Sequence, residues 1–106
     1  MDKRDKILLQ KIFNEIVIIE NFIVGYDYDK FVNDEKTKRA VCMTMINIGE
    51  KVKLLSNELK SNNPNINWKE MAGIRDVTAH RYDNLNMDYV WETASESIPI
   101  IKNNSN

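Results

Sequence analysis

The amino-acid sequence predicts an all-α fold, an antiparallel up-and-down four-helix bundle with a short extra helix and a kinked C-terminal helix. Glycine and proline, which interrupt helices, account for only three and two of the 106 residues. Apolar residues recur at three- and four-residue steps through most of the chain, which is the period of an amphipathic helix. Clusters of asparagine, aspartate and serine separate these periodic stretches, as expected of turns.

The first predicted helix runs from about Lys3 to Val24, and Gly25 follows it as a C-terminal cap because glycine adopts the left-handed conformation at little cost. Ile18 and Phe22 lie outside its main apolar stripe and widen the apolar surface. Two interpretations remain open: a central helix that packs on two neighbours, or a helix at a subunit interface. The main stripe contains Leu8, Ile12, Ile16, Ile19 and Ile23.

The second predicted long helix runs from about Asp34 to Lys60, after a polar connection that has room for one helical turn. Its apolar residues follow a heptad-like spacing, which is typical of near-antiparallel bundle packing. Gly49, in the middle of the helix, suggests the close approach of another helix, and Cys42 falls in the apolar pattern as a core thiol. The heptad-like residues are Val41, Met45, Ile48, Val52, Leu55 and Leu59.

Two further helices are predicted in the C-terminal half. Asn67, with Glu70 three residues later, resembles a capping box for a helix from Trp68 to about His80. Asn86 is a candidate cap for the last helix, which Pro99 should kink. The apolar residues of the two helices are Trp68, Met71, Ile74 and Val77, then Val90, Trp91, Ala94, Ile98 and Ile101.

Composition limits the classes of function. The net charge of -1, from 15 basic and 16 acidic residues, argues against a general nucleic-acid coat but leaves room for a local basic patch. One cysteine cannot form an intrachain disulfide or build a zinc site. Polar residues interrupt the apolar run near the start, so we expect no signal peptide, no membrane span and a cytoplasmic location. Without a repeat or a second compositional region, residues 1–106 are expected to form one domain.

The stretch GIRDVTAHRYDN contains the only histidine of the chain. Arg75 and His80 stand about 140° apart on an ideal helix, but arginine is long and His80 lies near the predicted helix end, so both could reach one phosphate. Arginine provides a permanently charged fork of donors that suits phosphate oxygens. Histidine titrates near neutral pH, and Asp76 could orient either partner.

These groups are the ones that RNA cleavage without a metal ion requires. The ribose 2′-hydroxyl attacks its own phosphate while a base removes the hydroxyl proton and an acid protonates the leaving oxygen. A cation offsets the charge that develops on phosphorus. Because each chain has one histidine, two subunits facing each other would supply both a base and an acid. The spacing alone is a weak signal, since such pairs commonly form structural hydrogen bonds.

The longer segment NINWKEMAGIRDVTAHRYDNLNMDYVWE resembles the HepT-like branch of the HEPN superfamily. That branch shows a tryptophan near the start of its third main helix, an Arg–polar–x3–His–x–Tyr motif, and a second tryptophan followed by an acid. Upstream, DEKTKRAV and NIGEKVKLLS are similar to the long helix of the family, so the resemblance covers nearly the whole chain. The matching residues are Trp68, Arg75, Asp76, His80, Tyr82, Trp91 and Glu92.

The resemblance implies a homodimeric, metal-independent endoribonuclease toxin without a cofactor, whose active site lies at the subunit interface. It implies a cognate antitoxin, a minimal nucleotidyltransferase of the MntA type, which silences the toxin by transferring AMP to Tyr82. Two positions depart from the family pattern. Asp76 replaces a frequent asparagine, and its charge would oppose phosphate yet could raise the pKa of a nearby histidine. Arg81 replaces a frequent glycine and adds a candidate phosphate contact.

Two alternatives to catalysis stay open. The first is a helical dimer that binds a nucleotidyltransferase or nucleotides without cleaving RNA. The second is a structural bundle in which Arg75 and His80 only form hydrogen bonds.

Four aromatic residues and one basic cluster have no catalytic assignment. Trp68 and Trp91 are interpreted as core anchors rather than as surfaces for RNA stacking. Tyr26 and Tyr28 have no predicted role beyond loop packing. The basic cluster is interpreted as a solvated face rather than an RNA track, and it contains Lys36, Lys38 and Arg39.

Overall fold

The computed structural model describes residues 2–73 and 87–98, and all regular secondary structure in these ranges is helical. The helices pack as an all-α bundle, which confirms the predicted fold class. A π-helical segment, Thr93–Ser97, directly follows the last α-helix. The α-helices are α1 (Lys3–Ile23), α2 (Tyr28–Val32), α3 (Glu35–Leu54), α4 (Asn57–Asn62), α5 (described over residues 68–73) and α6 (Met87–Glu92).

Helix α1 begins and ends as the sequence predicts. The side chain of Asp2 caps it by accepting a hydrogen bond of 2.7 Å from the backbone N–H of Asp5. At the other end, Gly25 has a φ of 77°, in the left-handed region that favours glycine. The apolar stripe is confirmed, because Leu8, Ile12, Ile16 and Ile19 are buried and Ile23 is half-buried against the core.

Helices α1 and α3 run antiparallel. Asp5, near the start of α1, contacts Ser56 just beyond the end of α3. Tyr26, just beyond the end of α1, contacts Asp34 immediately before α3. Their facing apolar residues form one core with residues of the other helices, including Phe31, Val41, Met45, Ile48, Val52, Met71 and Val90.

The predicted helix from Asp34 to Lys60 is not continuous. Helix α3 ends at Leu54, Leu55 adopts an extended conformation, and Ser56 caps α4 by accepting a hydrogen bond from the backbone N–H of Leu59. The heptad-like residues on both sides of the break are nevertheless buried, so the periodicity correctly predicted the core while it missed the break. The carboxylate of Asp5, which binds both the N–H and the hydroxyl of Ser56, is the tertiary contact that favours this break.

Helix α2 occupies the polar connection, where one helical turn was predicted. Asp27 caps it through the backbone N–H of Lys30. Phe31 is fully buried, and its ring centroid lies 5.2 Å from that of Trp91. A five-residue helix has little stability of its own, so this aromatic contact and the packing of α2 on α3 hold it in place.

The capping interaction predicted before α5 is present. The Oδ1 atom of Asn67 accepts a hydrogen bond of 3.0 Å from the backbone N–H of Glu70. The Glu70 carboxylate returns to the Asn67 side-chain amide rather than to its backbone N–H, so the box is closed through the side chains. The rest of this predicted helix, with Ile74 and Val77, lies outside the described residues.

The C-terminal helix departs from regular α-helical geometry at Thr93, before the predicted kink site at Pro99. Hydroxyl groups of Thr93 and Ser95 donate to the carbonyl oxygens of Tyr89 and Trp91, a contact that commonly bends helices. The core side of this segment is confirmed, since Val90, Ala94 and Ile98 are buried. Asn86, Pro99 and Ile101 lie outside the described residues.

Three features noted in the sequence bear on packing. Cys42 is buried, as predicted for a core thiol, and burial raises its pKa to about 11. Gly49 is also buried within α3. Ile18 and Phe22 keep 39% and 38% of their surface exposed, so the described helices do not cover the wider apolar face of α1. Over residues 2–73 and 87–98, no helix has the length and apolarity that a membrane crossing requires.

Candidate functional site

The predicted site residues Arg75, Asp76, His80 and Tyr82, and the neighbouring Arg81, lie outside the described residues. The structure does describe both ends of the segment, residues 74–86, that carries them. Helix α5 leads into the segment and α6 follows it, so the contacts of these two helices fix where the segment starts and finishes.

Trp68 anchors the upstream end. Its indole Nε1 donates hydrogen bonds to the carbonyl oxygens of Lys60 at 3.2 Å and Asn63 at 3.1 Å, both at the end of α4. One turn later, Met71 is buried in the core. Because the polar atom of the indole is engaged and the ring packs against the core, the structure favours the core-anchor interpretation of Trp68 over RNA stacking.

Tyr28 and Asp88 connect the downstream end to α2. The Tyr28 hydroxyl donates a hydrogen bond to the Asp88 carboxylate, and this bond raises the pKa of Tyr28. One turn further along both helices, Phe31 packs against Trp91. The two contacts have the same three-residue spacing on each helix, so α2 aligns the first turn of α6. The sequence-based interpretation of Tyr28 as loop packing missed this role.

Tyr26 closes the corner between α1 and α3. Its hydroxyl donates to the Oδ2 atom of Asp34 at 2.5 Å, and Thr37 adds a second hydroxyl donor at 2.8 Å and a backbone N–H to Oδ1. These donors, with Tyr26 the strongest, lower the pKa of Asp34 to about 2. The ammonium of Lys30 lies 4.2 Å from the centre of the Tyr26 ring. The corner is therefore a satisfied polar cluster, which composition alone could not reveal.

Two of the three cations of the basic cluster at the start of α3 pair with the same carboxylate. The Nζ atom of Lys38 lies 3.0 Å from one carboxylate oxygen of Glu35, and Nε of Arg39 lies 3.0 Å from the other. Lys36 and Arg39 are exposed. This pairing along one helix supports the interpretation as a solvated face rather than an RNA track.

An open groove of about 330 Å³ lies beside the end of α1. Trp91 forms part of its wall, so this tryptophan is half-buried rather than enclosed. The other lining residues are Glu20, Ile23, Val24, Tyr26, Ala94 and Ser95. Within residues 2–73 and 87–98, no three histidine, cysteine, aspartate or glutamate side chains are arranged to hold a metal ion.

The profile of the ribonuclease HepT-like family matches residues 12–106, a range that includes the whole segment from Arg75 to Tyr82. The chain belongs to the HepT-like ribonuclease family. This membership confirms the resemblance found in the sequence.

Several HepT-like relatives match over nearly their full length. Two candidate RNases of Methanocaldococcus jannaschii are 40% and 39% identical over 103 residues, with 96% of this chain covered and 89% and 85% of their own chains. A protein named "Probable ribonuclease HepT" from Thermococcus cleftensis is 35% identical over 102 residues, with 96% and 93% covered. No solved structure matches this HepT-like chain.

Proposed function

We propose that this chain is an endoribonuclease toxin that cleaves RNA without a metal ion. The observation that carries the proposal is the family match over residues 12–106, together with relatives named as RNases that align over almost their whole length. The matched range contains an arginine, a histidine and a tyrosine at the spacing of the family motif. We further propose that residues 1–106 act as one domain and that the reaction takes place in the cytoplasm.

In this proposal Arg75 binds the scissile phosphate and His80 transfers protons. The 2′-oxygen forms a bond to phosphorus and the bond from phosphorus to the 5′-oxygen breaks, which leaves a 2′,3′-cyclic phosphate and a 5′-hydroxyl. One imidazole accepts the 2′-hydroxyl proton and a protonated imidazole supplies the proton to the 5′-oxygen. Arg75 offsets the charge on the pentacoordinate phosphorus, and Asp76 orients one of the two side chains.

The proposed enzyme is a homodimer, because the reaction uses a base and an acid while each chain has a single histidine. The partly exposed apolar face of α1 around Ile18 and Phe22 supports this assembly, since packing it against a second copy would remove more apolar surface from water. Sedimentation of the purified chain tests the dimer directly, and a monomer that cleaves RNA would contradict it.

The cleavage proposal is tested by incubating the purified protein with RNA in the presence of EDTA. Wild type should produce 2′,3′-cyclic phosphate ends, whereas H80A and R75A should each lose at least about a hundredfold in rate. Thr78→Ala, in the same segment but outside the motif, serves as the matched control and should retain activity. Equal cleavage by wild type and H80A would refute the catalytic assignment. RNA binding without new ends would instead favour the non-catalytic binding module.

We propose that transfer of AMP to Tyr82 inactivates the enzyme. A minimal nucleotidyltransferase antitoxin would join the Tyr82 oxygen to the α-phosphorus of ATP, with release of pyrophosphate and of the phenolic proton. The resulting phosphodiester places a negative charge two residues from His80, where it would compete with RNA phosphate for Arg75.

Mass spectrometry after incubation with ATP and a minimal nucleotidyltransferase of the MntA type tests the switch. Wild type should gain AMP and lose cleavage activity together, whereas Y82F should gain none and stay active. Tyr89→Phe, which preserves Tyr82, is the control and should still be modified. Modification of Y82F to the same extent as wild type would place the switch on another residue.

A further inference from the structure

The antiparallel packing of α1 and α3 gathers basic residues at one end of the molecule. The contact between Asp5 and Ser56 brings together the start of α1, the end of α3 and the start of α4. Trp68 ties α5 to the same place through the carbonyl oxygens of Lys60 and Asn63. We call this region the basic end, and its cations are Lys3, Arg4, Lys6, Lys11, Lys51, Lys53 and Lys60.

Charge is unevenly divided between the two ends. At the basic end, residues 2–11 and 50–63 contain seven basic and four acidic side chains, a surplus of three positive charges. At the opposite end, residues 20–39 and 87–98 contain four basic and eight acidic side chains, a surplus of four negative charges. Although the net charge of the chain is only -1, its two ends carry opposite charge, and the basic end attracts anions.

Two of the four acidic residues at the basic end accept hydrogen bonds within the fold, whereas the three cations at the start of α1 are exposed. Asp2 caps α1, and Asp5 is buried against Ser56. Lys3, Arg4 and Lys6 are exposed, and within the described part of the chain no ion pair involves them. At the opposite end, by contrast, the Glu35 carboxylate pairs with two of the cations.

These three cations also occupy positions near the N-terminus of a helix, where positive charge is least favourable. They occupy the first turn and the next position of α1, beside the positive end of the helix dipole, where acidic side chains are normally stabilising. The Asp5 carboxylate is the only acid in that turn. Three exposed cations at an unfavourable position indicate a role other than stabilising the helix.

We propose that the basic end binds backbone phosphates of the RNA on one side of the cleaved bond, and this inference rests on the proposed ribonuclease function. The partner that fits is single-stranded RNA, because exposed lysine and arginine side chains without a shared pocket match a flexible polyanion. The location of the basic end also supports the proposal. Helix α5 starts at the basic end, and Arg75 follows its last described residue, Gly73, by two positions in the chain.

The test compares two triple variants with the same change in charge, both made in the H80A background so that the RNA stays intact. The first is K3Q/R4Q/K6Q at the basic end. The second is K30Q/K36Q/R39Q at the opposite end, which also replaces two lysines and one arginine. Fluorescence anisotropy with a labelled single strand of about 20 nucleotides, longer than one small domain contacts, measures Kd at several salt concentrations.

The basic-end variant should raise Kd about tenfold or more, and its plot of log K against log salt should be shallower by about 0.7 for each RNA phosphate that the variant no longer neutralises. The opposite-end variant should change Kd less than about twofold, because its cations face a negative surplus. Equal effects of the two triples, or no effect of the first, would overturn the inference. Circular dichroism confirms that both variants are folded.

Two further outcomes are informative. If the wild type binds RNA through the basic end but cleaves none, the proposed ribonuclease activity fails while the phosphate-binding surface stands. If the basic-end triple keeps its RNA affinity but loses affinity for the nucleotidyltransferase, the surface serves a protein partner and the RNA proposal is wrong. In an active enzyme, the same triple in the wild-type background should raise KM and leave kcat within about twofold.

Discussion

Asp5 and Ser56, 51 residues apart in the chain, share two hydrogen bonds that join the start of α1 to the break between α3 and α4. The Ser56 N–H donates to one carboxylate oxygen at 3.0 Å, and its hydroxyl donates to the other at 2.5 Å. The same hydroxyl accepts from the N–H of Leu59 and thereby caps α4. One serine thus determines both where a helix starts and which helix packs beside it.

Ser56→Ala should lower the free energy of unfolding by about 1 kcal/mol or slightly more, because it removes a helix cap and a hydrogen bond to a buried carboxylate. Urea denaturation measures the change. Ser61→Ala, an exposed position within α4, should stay within about 0.5 kcal/mol of wild type. Equal and small effects of the two variants would show that Ser56 does not organise the break.

The hydrogen bonds to Asp34 predict that the stability of the fold depends on pH in the acidic range. Hydrogen bonds from Tyr26 and Thr37 lower the pKa of Asp34 to about 2 from its ordinary value of 3.8. As pH falls, the Asp34 carboxylate is therefore protonated in the unfolded chain before it is protonated in the folded protein. Its contribution to the stability of the fold is present above the ordinary pKa and is lost as pH falls toward 2. Asp5, whose pKa is also lowered, acts in the same direction.

Asp34→Asn should weaken this acid dependence in urea titrations between pH 4 and 2 and should reduce stability at neutral pH, because asparagine retains the cap but not the charge. Asp29→Asn, at an exposed position of α2, is the control and should leave the pH profile unchanged. A profile for Asp34→Asn that parallels wild type would contradict the assignment.

Phe31 should be the most sensitive residue of α2. Phe31→Ala is expected to cost about 3–5 kcal/mol, since it removes a fully buried ring that packs against Trp91. Phe22→Ala, at a partly exposed position of α1, should cost less than half as much in the isolated subunit. If the Phe22 effect grows with protein concentration, the apolar face of α1 lies in a subunit interface.

Tyr28→Phe should disturb the site segment without unfolding the protein, because it removes the hydroxyl that binds Asp88 at the start of α6. His80 is the only histidine, so one imidazole signal in an NMR spectrum reports on it unambiguously. We expect that signal to shift in Tyr28→Phe and to stay in place in Tyr26→Phe, whose hydroxyl bonds lie at the α1–α3 corner. The opposite pattern would show that α2 does not align α6 with the segment.

Cys42 should react slowly with thiol reagents in the native protein. Burial raises its pKa to about 11, so only roughly a thousandth of the thiol is ionised at pH 8, and the sulfur is also shielded from solvent. Labelling in urea, where the thiol is free, provides the reference rate. Native labelling as fast as the reference would place Cys42 outside the core.

The sequence predicted the helices whose signals are local. The stripe of α1, its cap at Gly25 and the capping residue Asn67 depend on residues a few positions apart, and all three are found. The break at Ser56 was missed because it depends on Asp5, while the heptad-like pattern continues through it without a change of phase. Tertiary hydrogen bonds of this kind leave no periodic trace in a sequence.

For the candidate site, family membership is confirmed. The roles of Arg75, His80 and Tyr82, which were inferred from residue types and from the family resemblance, stay predictions. The contacts at the two ends of the segment could not be predicted from the sequence. Tyr28 and Trp68 find their partners on α6 and α4, and those pairings arise only when the bundle assembles.

The contact between Asp5 and Ser56 has a practical consequence for protein production. The family match begins at residue 12, so an expression clone trimmed to the matched range would still encode Arg75, His80 and Tyr82. It would lack Asp5, and the N–H and hydroxyl of Ser56 would lose their acceptor. Such a fragment would keep the motif but loosen the junction on which α4 and, through Trp68, α5 depend. The first turns of α1 should therefore be retained in any truncation series, and purification tags are better placed away from them.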